Sequence, residues 1–263
     1  MLNYKEINDI ARLKRISLIN AEKDYLQDLI LFSLYSIVGK ELVFKGGTAL
    51  YKIYKLNRFS EDLDFTINGK LDIRKISKRI ISDLELLNIK GKIKEIKEFR
   101  NEINVRFLFN GPLYKGSKET QCFIPLNISM KEQILLEPKR ERIISLYKEI
   151  PGFELFVMQE KEILAEKARA IFTRMKPRDI YDLHFLLRNS EFDILLVNKK
   201  LALYGLKFSI KEFKERIEKM KGLWEVDLRN LLANEADFMQ IKKDIFDSIK
   251  VGEMDKKEKV NKL

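Results

Sequence analysis

The sequence predicts an α/β lobe followed by a helical lobe, and three observations predict it. Short stretches alternating apolar with polar residues crowd the first half of the chain, as half-buried strands do. Two adjacent glycines, in a chain holding only 11, sit between one such stretch and a helical pattern. From Gln159 onward nearly every segment repeats its apolar residues at spacings of three and four. The predicted boundaries are residues 1–155 for the α/β lobe and 156–252 for the helical lobe. Residues 253–263, charged and aperiodic, are expected to form a frayed tail.

In chain order, Ala21 to Val38 places Leu26, Leu29, Ile30, Leu34 and Ile37 at the spacing of an amphipathic helix. Glu41-Leu-Val-Phe-Lys45 is short and β-leaning, and ends at Gly46-Gly47-Thr48, where helical spacing resumes. Strand, double glycine, helix is the local grammar of a phosphate-binding turn. Leu63, Phe65 and Ile67 then alternate with Asp62, Asp64 and Thr66, which predicts a strand with one apolar and one acidic face. Asp72–Leu87 reads as a helix. Lys92–Phe99, Glu102–Phe109 and Cys122–Met130 read as strands, and Asn110-Gly-Pro-Leu-Tyr-Lys-Gly-Ser loops between the last two. Beyond Pro151-Gly152 come helices carrying Ile163, Leu164, Ala168, Ile171 and Phe172, then Ile210, Phe213 and Ile217, then Phe238, Ile241, Ile245 and Ile249. Ser209 and Glu212 are spaced as a capping box.

Composition bounds the chemistry. A length of 263 residues suits one large domain or two ordinary lobes, at roughly 100–200 residues per domain. Hydrophobic residues make up 45% of the chain, which supplies a substantial core and excludes wholesale disorder. One Cys and one His exclude an internal disulfide and a four-ligand zinc site, and a Ser-His-Asp hydrolase would have to rely on His184 alone. The start lacks the charged-then-apolar design of a signal peptide, and Leu29–Val38 is about half a membrane span. The expectation is a cytoplasmic protein with no membrane association. The 51 Lys and Arg exceed the 40 Asp and Glu by 11, a weak pointer to phosphate-rich partners that lysine-rich composition also produces.

Two carboxylates at i and i+2 of a strand project from one face, so Asp62 and Asp64 can share hard cations through oxygen ligands. Mg²⁺ favours such a site when triphosphate oxygens complete its octahedron. The double-glycine turn, one helix earlier, offers backbone N–H groups to phosphates, with the Thr48 hydroxyl as a further donor. Each feature alone is commonly structural: acidic pairs are mostly solvated and Gly-Gly is commonly a tight turn. In this order and spacing they describe nucleotidyl transfer.

Phe44-Lys-Gly-Gly-Thr-Ala-Leu50 followed by Arg58-Phe-Ser-Glu-Asp-Leu-Asp-Phe65 closely resembles the signature of the AbiEii/AbiGii toxin family, nucleotidyltransferases with a DNA polymerase β-like fold. Glu166-Lys-Ala-Arg-Ala-Ile-Phe-Thr-Arg174 with Arg178-Asp-Ile-Tyr-Asp-Leu183 resembles its second signature, and Glu22-Lys-Asp24 its opening segment. The resemblance covers roughly residues 20–190. It implies a mixed sheet with helices and a helical C-terminal lobe. Gly46, Gly47 and Thr48 would hold the triphosphate, with Arg58 and Ser60 lining the same turn. Asp62 and Asp64 would bind catalytic Mg²⁺, Lys167 would reach the nucleotide phosphates, and Asp182 would complete the site. It further implies an NTP substrate, a tRNA 3′ end as RNA acceptor, and a cognate antitoxin with a winged-helix-like part. Nucleotidylation of a protein hydroxyl, and a catalytically weakened nucleotide- or RNA-binding protein, are the alternatives.

The residues by themselves leave several roles open. Lys167 either extends into a cleft or pairs with Glu162 or Glu166 at the surface. Pro177 fits the first turn of a helix. Asp179 and Asp182 then lie one turn apart, and Arg178 and Asp182 can pair at i, i+4. The polymerase β superfamily usually supplies a third carboxylate from a later strand, and the matching position here is the neutral Asn127. An amide oxygen can ligate a cation but cannot act as a base. His184 reads as packing, Trp224 as a helix anchor, and the basic run Lys139, Arg140 and Arg142 as a solvated helix face or an RNA contact.

Overall fold

A computed structural model describes residues 1–232 and 234–260. The chain divides into two compact units. The first comprises Met1–Lys55 and Phe59–Met158; the second comprises Leu56–Arg58 and the chain from Gln159 onward.

The first unit opens with α1 (Tyr4–Lys14), which the apolar pattern of the sequence does not announce. Its start is specified by a capping box: the Asn3 side chain accepts from the Glu6 N–H, and the Glu6 carboxylate accepts from the Asn3 N–H. Helix α2 (Leu18–Tyr35) begins at an N-capping Ser17 and is buried on nearly every side. After it come β1 (Leu42–Lys45), α3 (Gly46–Lys52), β2 (Leu63–Ile67) and α4 (Ile73–Leu86). Strands β3 (Gly91–Phe99), β4 (Glu102–Phe109), β5 (Cys122–Ser129), β6 (Lys139–Ile143) and β7 (Phe153–Val157) complete a seven-stranded mixed sheet. Its order is β3-β4-β5-β2-β1-β7-β6. Strands β2 and β5 are parallel, as are β1 and β7, and the remaining neighbours are antiparallel.

Register gives the sheet two faces. Leu63 and Phe65 of β2 stand beside Leu126 and Ile128 of β5, which stand beside Val105 and Ile103 of β4. This apolar face joins residues of α2 and α4, among them Leu26, Ile30, Ile80 and Leu84, in one core cluster. The alternating positions, Asp62, Asp64, Asn127, Asn104 and Arg106, belong to the opposite, polar face.

Residues 139–143 form strand β6 rather than a solvated helix face. They pair residue by residue with Phe153–Val157, and Arg140 pairs with Glu154. A run of Lys-Arg-Glu-Arg carries no apolar alternation, so its state is set by the strand it joins. Its charges suit a sheet edge, where they discourage pairing with other chains.

The second unit holds α5 (Glu160–Thr173), α6 (Pro177–Leu186), α7 (Ile194–Ala202), α8 (Ile210–Lys219), α9 (Trp224–Leu228) and α10 (Phe238–Val260). Rings of Phe172, Phe192, Phe208, Phe213 and Phe246 pack together at its centre. Ser209 caps α8 by accepting from Glu212 N–H, while the Glu212 carboxylate pairs with Arg216. Trp224 is a helix anchor, stacked edge-on against Phe238 and donating to Ala236 O at 2.7 Å. The Leu56–Arg58 segment joins this unit through a bridge from Arg58 to Leu232 and a Tyr181–Asn57 hydrogen bond. Helix α10 continues through Val260, where a frayed tail is expected; Met, Lys and Glu are good helix formers even without an apolar stripe. Residues 261–263 of that expected tail lie outside the described residues.

Candidate functional site

In the first unit, the turn from β1 into α3 is built around Gly46. Its φ is +74°, a left-handed conformation that side chains disfavour. A Cβ there would also lie 2.5 Å from Asp64 Oδ2, so the glycine is what lets the backbone and the carboxylate approach each other. Gly47 and Thr48 are buried behind it. The Thr48 hydroxyl donates to the backbone carbonyl of Asp62, which ties the glycine turn to the acidic strand. The hydroxyl that sequence assigns to a phosphate is thus engaged in positioning the carboxylates.

Asp62 and Asp64 are half-buried and flank the fully buried Leu63. The approach to them is held from α2: Gln27 Nε2 donates to the carbonyls of Ser60 at 3.0 Å and Glu61 at 2.9 Å, and Lys23 pairs with the Glu61 side chain. Asn127 sits directly opposite Asp64 in the parallel register and donates Nδ2 to Asp64 Oδ1 at 3.0 Å. Its own Oδ1 accepts from Arg106 Nη1 at 2.7 Å. Asn127, where the sequence places a neutral residue in this strand, thus faces Asp64 with its amide nitrogen and turns its oxygen to a guanidinium. Among the described residues no group of three or more His, Cys, Asp or Glu side chains could hold a metal. Two carboxylates on one face, one with an oxygen over a side-chain-free glycine, do fit a hard divalent cation whose remaining ligands come from phosphate or water.

In the second unit, Arg58, Lys167, Asp179, Asp182 and Arg174 form one charged cluster. Both aspartates are fully buried. Arg58 is buried too, and its Nε and Nη2 grip the two oxygens of Asp182 at 2.6 Å each. Lys167 Nζ bridges Asp182 Oδ2 at 2.6 Å and Asp179 Oδ1 at 2.9 Å. Arg174 holds Asp179 through Nε at 2.7 Å and Nη2 at 2.8 Å. Burial alone would raise both carboxyls, but Arg58 and Lys167 beside Asp182, and Lys167 and Arg174 beside Asp179, hold them below the ordinary range. Lys167 does not pair with Glu162 or Glu166 at the surface; its ammonium is buried between Asp179 and Asp182. Those carboxylates instead receive the buried Lys200, at 2.7 and 3.1 Å. Arg178 pairs with Asp227 and not with Asp182. His184 packs half-buried against Asp244, 3.0 Å away, and burial lowers its pKa.

A further network in the first unit escapes sequence reasoning. Asp24, fully buried on α2, accepts from Lys52 at 2.6 Å, from Tyr147 Oη at 2.7 Å and from Lys14. Asp28 accepts from the same Lys52 at 2.6 Å and from Ser145 Oγ at 2.7 Å. Burial would raise the Asp24 carboxyl, but Lys52 and Lys14 outweigh it and hold the pKa at about 2. Two acids one turn apart on α2, Asp24 and Asp28, are the sequence signal of this network. Glu22, by contrast, has its pKa raised by burial, although it accepts from Leu113 N–H at 2.7 Å.

Residues 29–249 match the family of nucleotidyl transferase AbiEii toxins of type IV toxin–antitoxin systems, and the chain belongs to that family. Several solved structures share the fold. JHP933 from Helicobacter pylori is 22% identical, with 94% of this chain and 97% of that chain covered and a TM-score of 0.64. The nucleotidyltransferase toxin MenT4 (Rv2826c) from Mycobacterium tuberculosis H37Rv is 18% identical, with 95% and 89% covered and a TM-score of 0.68. Comparison with curated proteins gives no match. The chain is thus a nucleotidyltransferase of a toxin–antitoxin system, with a nucleotide substrate and an antitoxin as its expected partner. Among the described residues no helix is long and apolar enough to cross a membrane.

Proposed function

We propose that this nucleotidyltransferase moves a nucleotide from an NTP to an RNA 3′ hydroxyl, with a tRNA end as acceptor and Mg²⁺ held by Asp62 and Asp64. One observation supports the reading above the others: Asp64 on β2, with Asp62 just before it, packs against a glycine turn whose lack of a Cβ lets Asp64 Oδ2 approach the backbone. The acceptor oxygen forms a bond to the α-phosphorus as the bond from that phosphorus to the β-phosphate oxygen breaks. Pyrophosphate leaves, and the hydroxyl proton leaves to water. A bound cation supplies charge neutralisation at the phosphate oxygens.

The residues of this chain do the rest. Gly46 and Gly47 present backbone N–H groups to the phosphates, and Thr48 keeps the turn against the acidic strand. Ser60, its carbonyl held by Gln27, offers a hydroxyl beside Asp62. In the second unit Asp179 and Asp182 fix the ammonium of Lys167, the residue that the family resemblance assigns to the nucleotide phosphates. Arg58 acts through Asp182, since its bidentate grip on that buried carboxylate makes it a positioning residue.

The test is incubation of the protein with labelled NTPs and total tRNA, comparing wild type with Asp62→Ala and Asp64→Ala. Label should appear on tRNA only with wild type and Mg²⁺. Incorporation that survives both substitutions would sink the reading.

A further inference from the structure

The polar face of the sheet does not stop at the carboxylates. Beyond β2 it runs across β5 and β4 to the edge strand β3, all within the first unit. In the row next to Asp62 stand Pro125, Arg106 and Glu95, and in the row next to Asp64 stand Asn127, Asn104 and Lys97. One row further along, Phe123 is opposite Leu108, which is opposite Lys92. The extra residue of the β3 irregularity, Lys94, lies with its amino group 5.7 Å from the Phe123 ring.

Arg106 is the centre of this row. Its Nη1 donates to Asn127 Oδ1 at 2.7 Å and to Val105 O at 3.3 Å, so the guanidinium is fixed one amide group away from Asp64. Its Nε and Nη2 have no hydrogen bond or ion pair among the described residues. The nearest cross-strand acid, Glu95, is paired with Lys97 at 2.6 Å instead. Asn104 Oδ1, opposite Asn127, is buried with no hydrogen-bond partner among the described residues. Phe123 keeps 39% of its surface exposed although its strand is otherwise largely buried, and Lys92 and Lys94 are exposed beside it. Away from the carboxylate pair, this face carries Lys92, Lys94, Lys97 and Arg106 against Glu95 and Glu102.

From this geometry we infer that Arg106, held by Asn127, is a phosphate subsite for the acceptor strand, and that Lys92, Lys94 and Phe123 continue it as a single-stranded RNA track. The inference rests on reading Asp62 and Asp64 as the reaction centre and deepens that reading, because it selects a phosphodiester acceptor over a protein hydroxyl. A guanidinium fork with two idle donors matches a phosphate better than a serine- or tyrosine-bearing loop. An exposed aromatic ring flanked by lysines offers base stacking with backbone neutralisation, the pairing that binds single strands without sequence preference. The neutral amide at 127 also acquires a purpose. A third carboxylate there would repel the acceptor's phosphate, whereas Asn127 orients both Asp64 and the arginine that attracts it.

The experiment measures anisotropy of a short labelled single-stranded RNA with a free 3′ hydroxyl, in EDTA and without NTP, across a salt series. For Arg106→Ala, RNA affinity should fall about tenfold and the slope of log K against log salt should become shallower by about 1. Arg106→Lys should recover part of the affinity, and Lys92→Ala with Lys94→Ala, both exposed, should weaken RNA without touching the fold. Binding of Mg²⁺·NTP should remain within twofold in each. Wild-type RNA affinity in Arg106→Ala, or a loss of NTP binding in place of RNA binding, overturns the subsite. So does a wild-type protein that binds no RNA and labels a protein acceptor equally well with and without Arg106. Asp62→Ala should still bind RNA. If RNA binding follows Arg106 but wild type never labels RNA, the transfer reading fails and the subsite stands.

Discussion

The Oδ2 atom of Asp64 lies 2.5 Å from where a side chain on Gly46 would begin, so the glycine turn and the acidic strand fit together only because residue 46 has no Cβ. Thr48 reinforces the same junction by donating to the carbonyl of Asp62. Gly46→Ala meets two penalties at once, the clash with Asp64 and a φ of +74°. Strain of this kind costs about 1–3 kcal/mol. The variant should lose about 2–10 °C in thermal midpoint, and nucleotide transfer should fall by more than tenfold because Asp64 must move. Thermal melts and the labelled-NTP assay, run on one preparation, separate the two effects.

Arg58 and Asp182 should behave as one unit. Removing one partner of a buried pair leaves the other charge uncompensated, typically at a cost of about 3–5 kcal/mol. Arg58→Ala should therefore lower denaturant stability by about that amount, and Arg58→Lys, which cannot grip both oxygens, by a smaller amount. If Arg58 were chiefly a nucleotide ligand, Arg58→Ala would raise the KM for NTP and leave the denaturation midpoint unchanged.

Asn127→Asp should change the cation requirement. The new carboxylate cannot donate to Asp64, so that hydrogen bond is lost, and two like charges then face each other across the β2–β5 register. A divalent cation relieves that repulsion, so half-maximal activity should come at a lower Mg²⁺ concentration in the variant, by about threefold or more. A Mg²⁺ titration that superimposes on wild type would show that residue 127 does not communicate with the proposed cation site.

Acid should unfold the first unit through Asp24. Its carboxyl is held at about 2, below its ordinary value of 3.8. A depressed folded pKa adds stability that is present above the unfolded pKa and lost as pH falls through the folded one. The window is therefore about pH 4 down to pH 2, and the contribution above it is about 2 kcal/mol. Asp179 and Asp182, also depressed, add losses of the same sign in the second unit. Circular dichroism melts from pH 6 to pH 2 should show a falling midpoint below pH 4, less steep in Asp24→Asn after allowing for its lower starting stability.

What could be read from the residue order was local. The helical repeats of the second unit, the alternation of Leu63 and Phe65 against Asp62 and Asp64, and the need for glycine at 46 all follow from interactions within a few residues. Those interactions have fixed periods of 2 and 3.6, which is why they show in sequence. The parallel pairing of Asn127 with Asp64, by contrast, joins strands 63 positions apart and came only from the fold. Tertiary structure alone decided the partners. Lys167 bridges Asp179 and Asp182 while Lys200 takes Glu162 and Glu166, and Arg58 reaches Asp182 across 124 positions. With 51 basic and 40 acidic side chains, sequence offers many pairings of equal plausibility. Only burial discriminates among them, since a charge removed from water must find its counterion there or not be buried at all. The same holds for Lys139–Ile143, which has no pattern of its own and becomes a strand because Phe153–Val157 is already one.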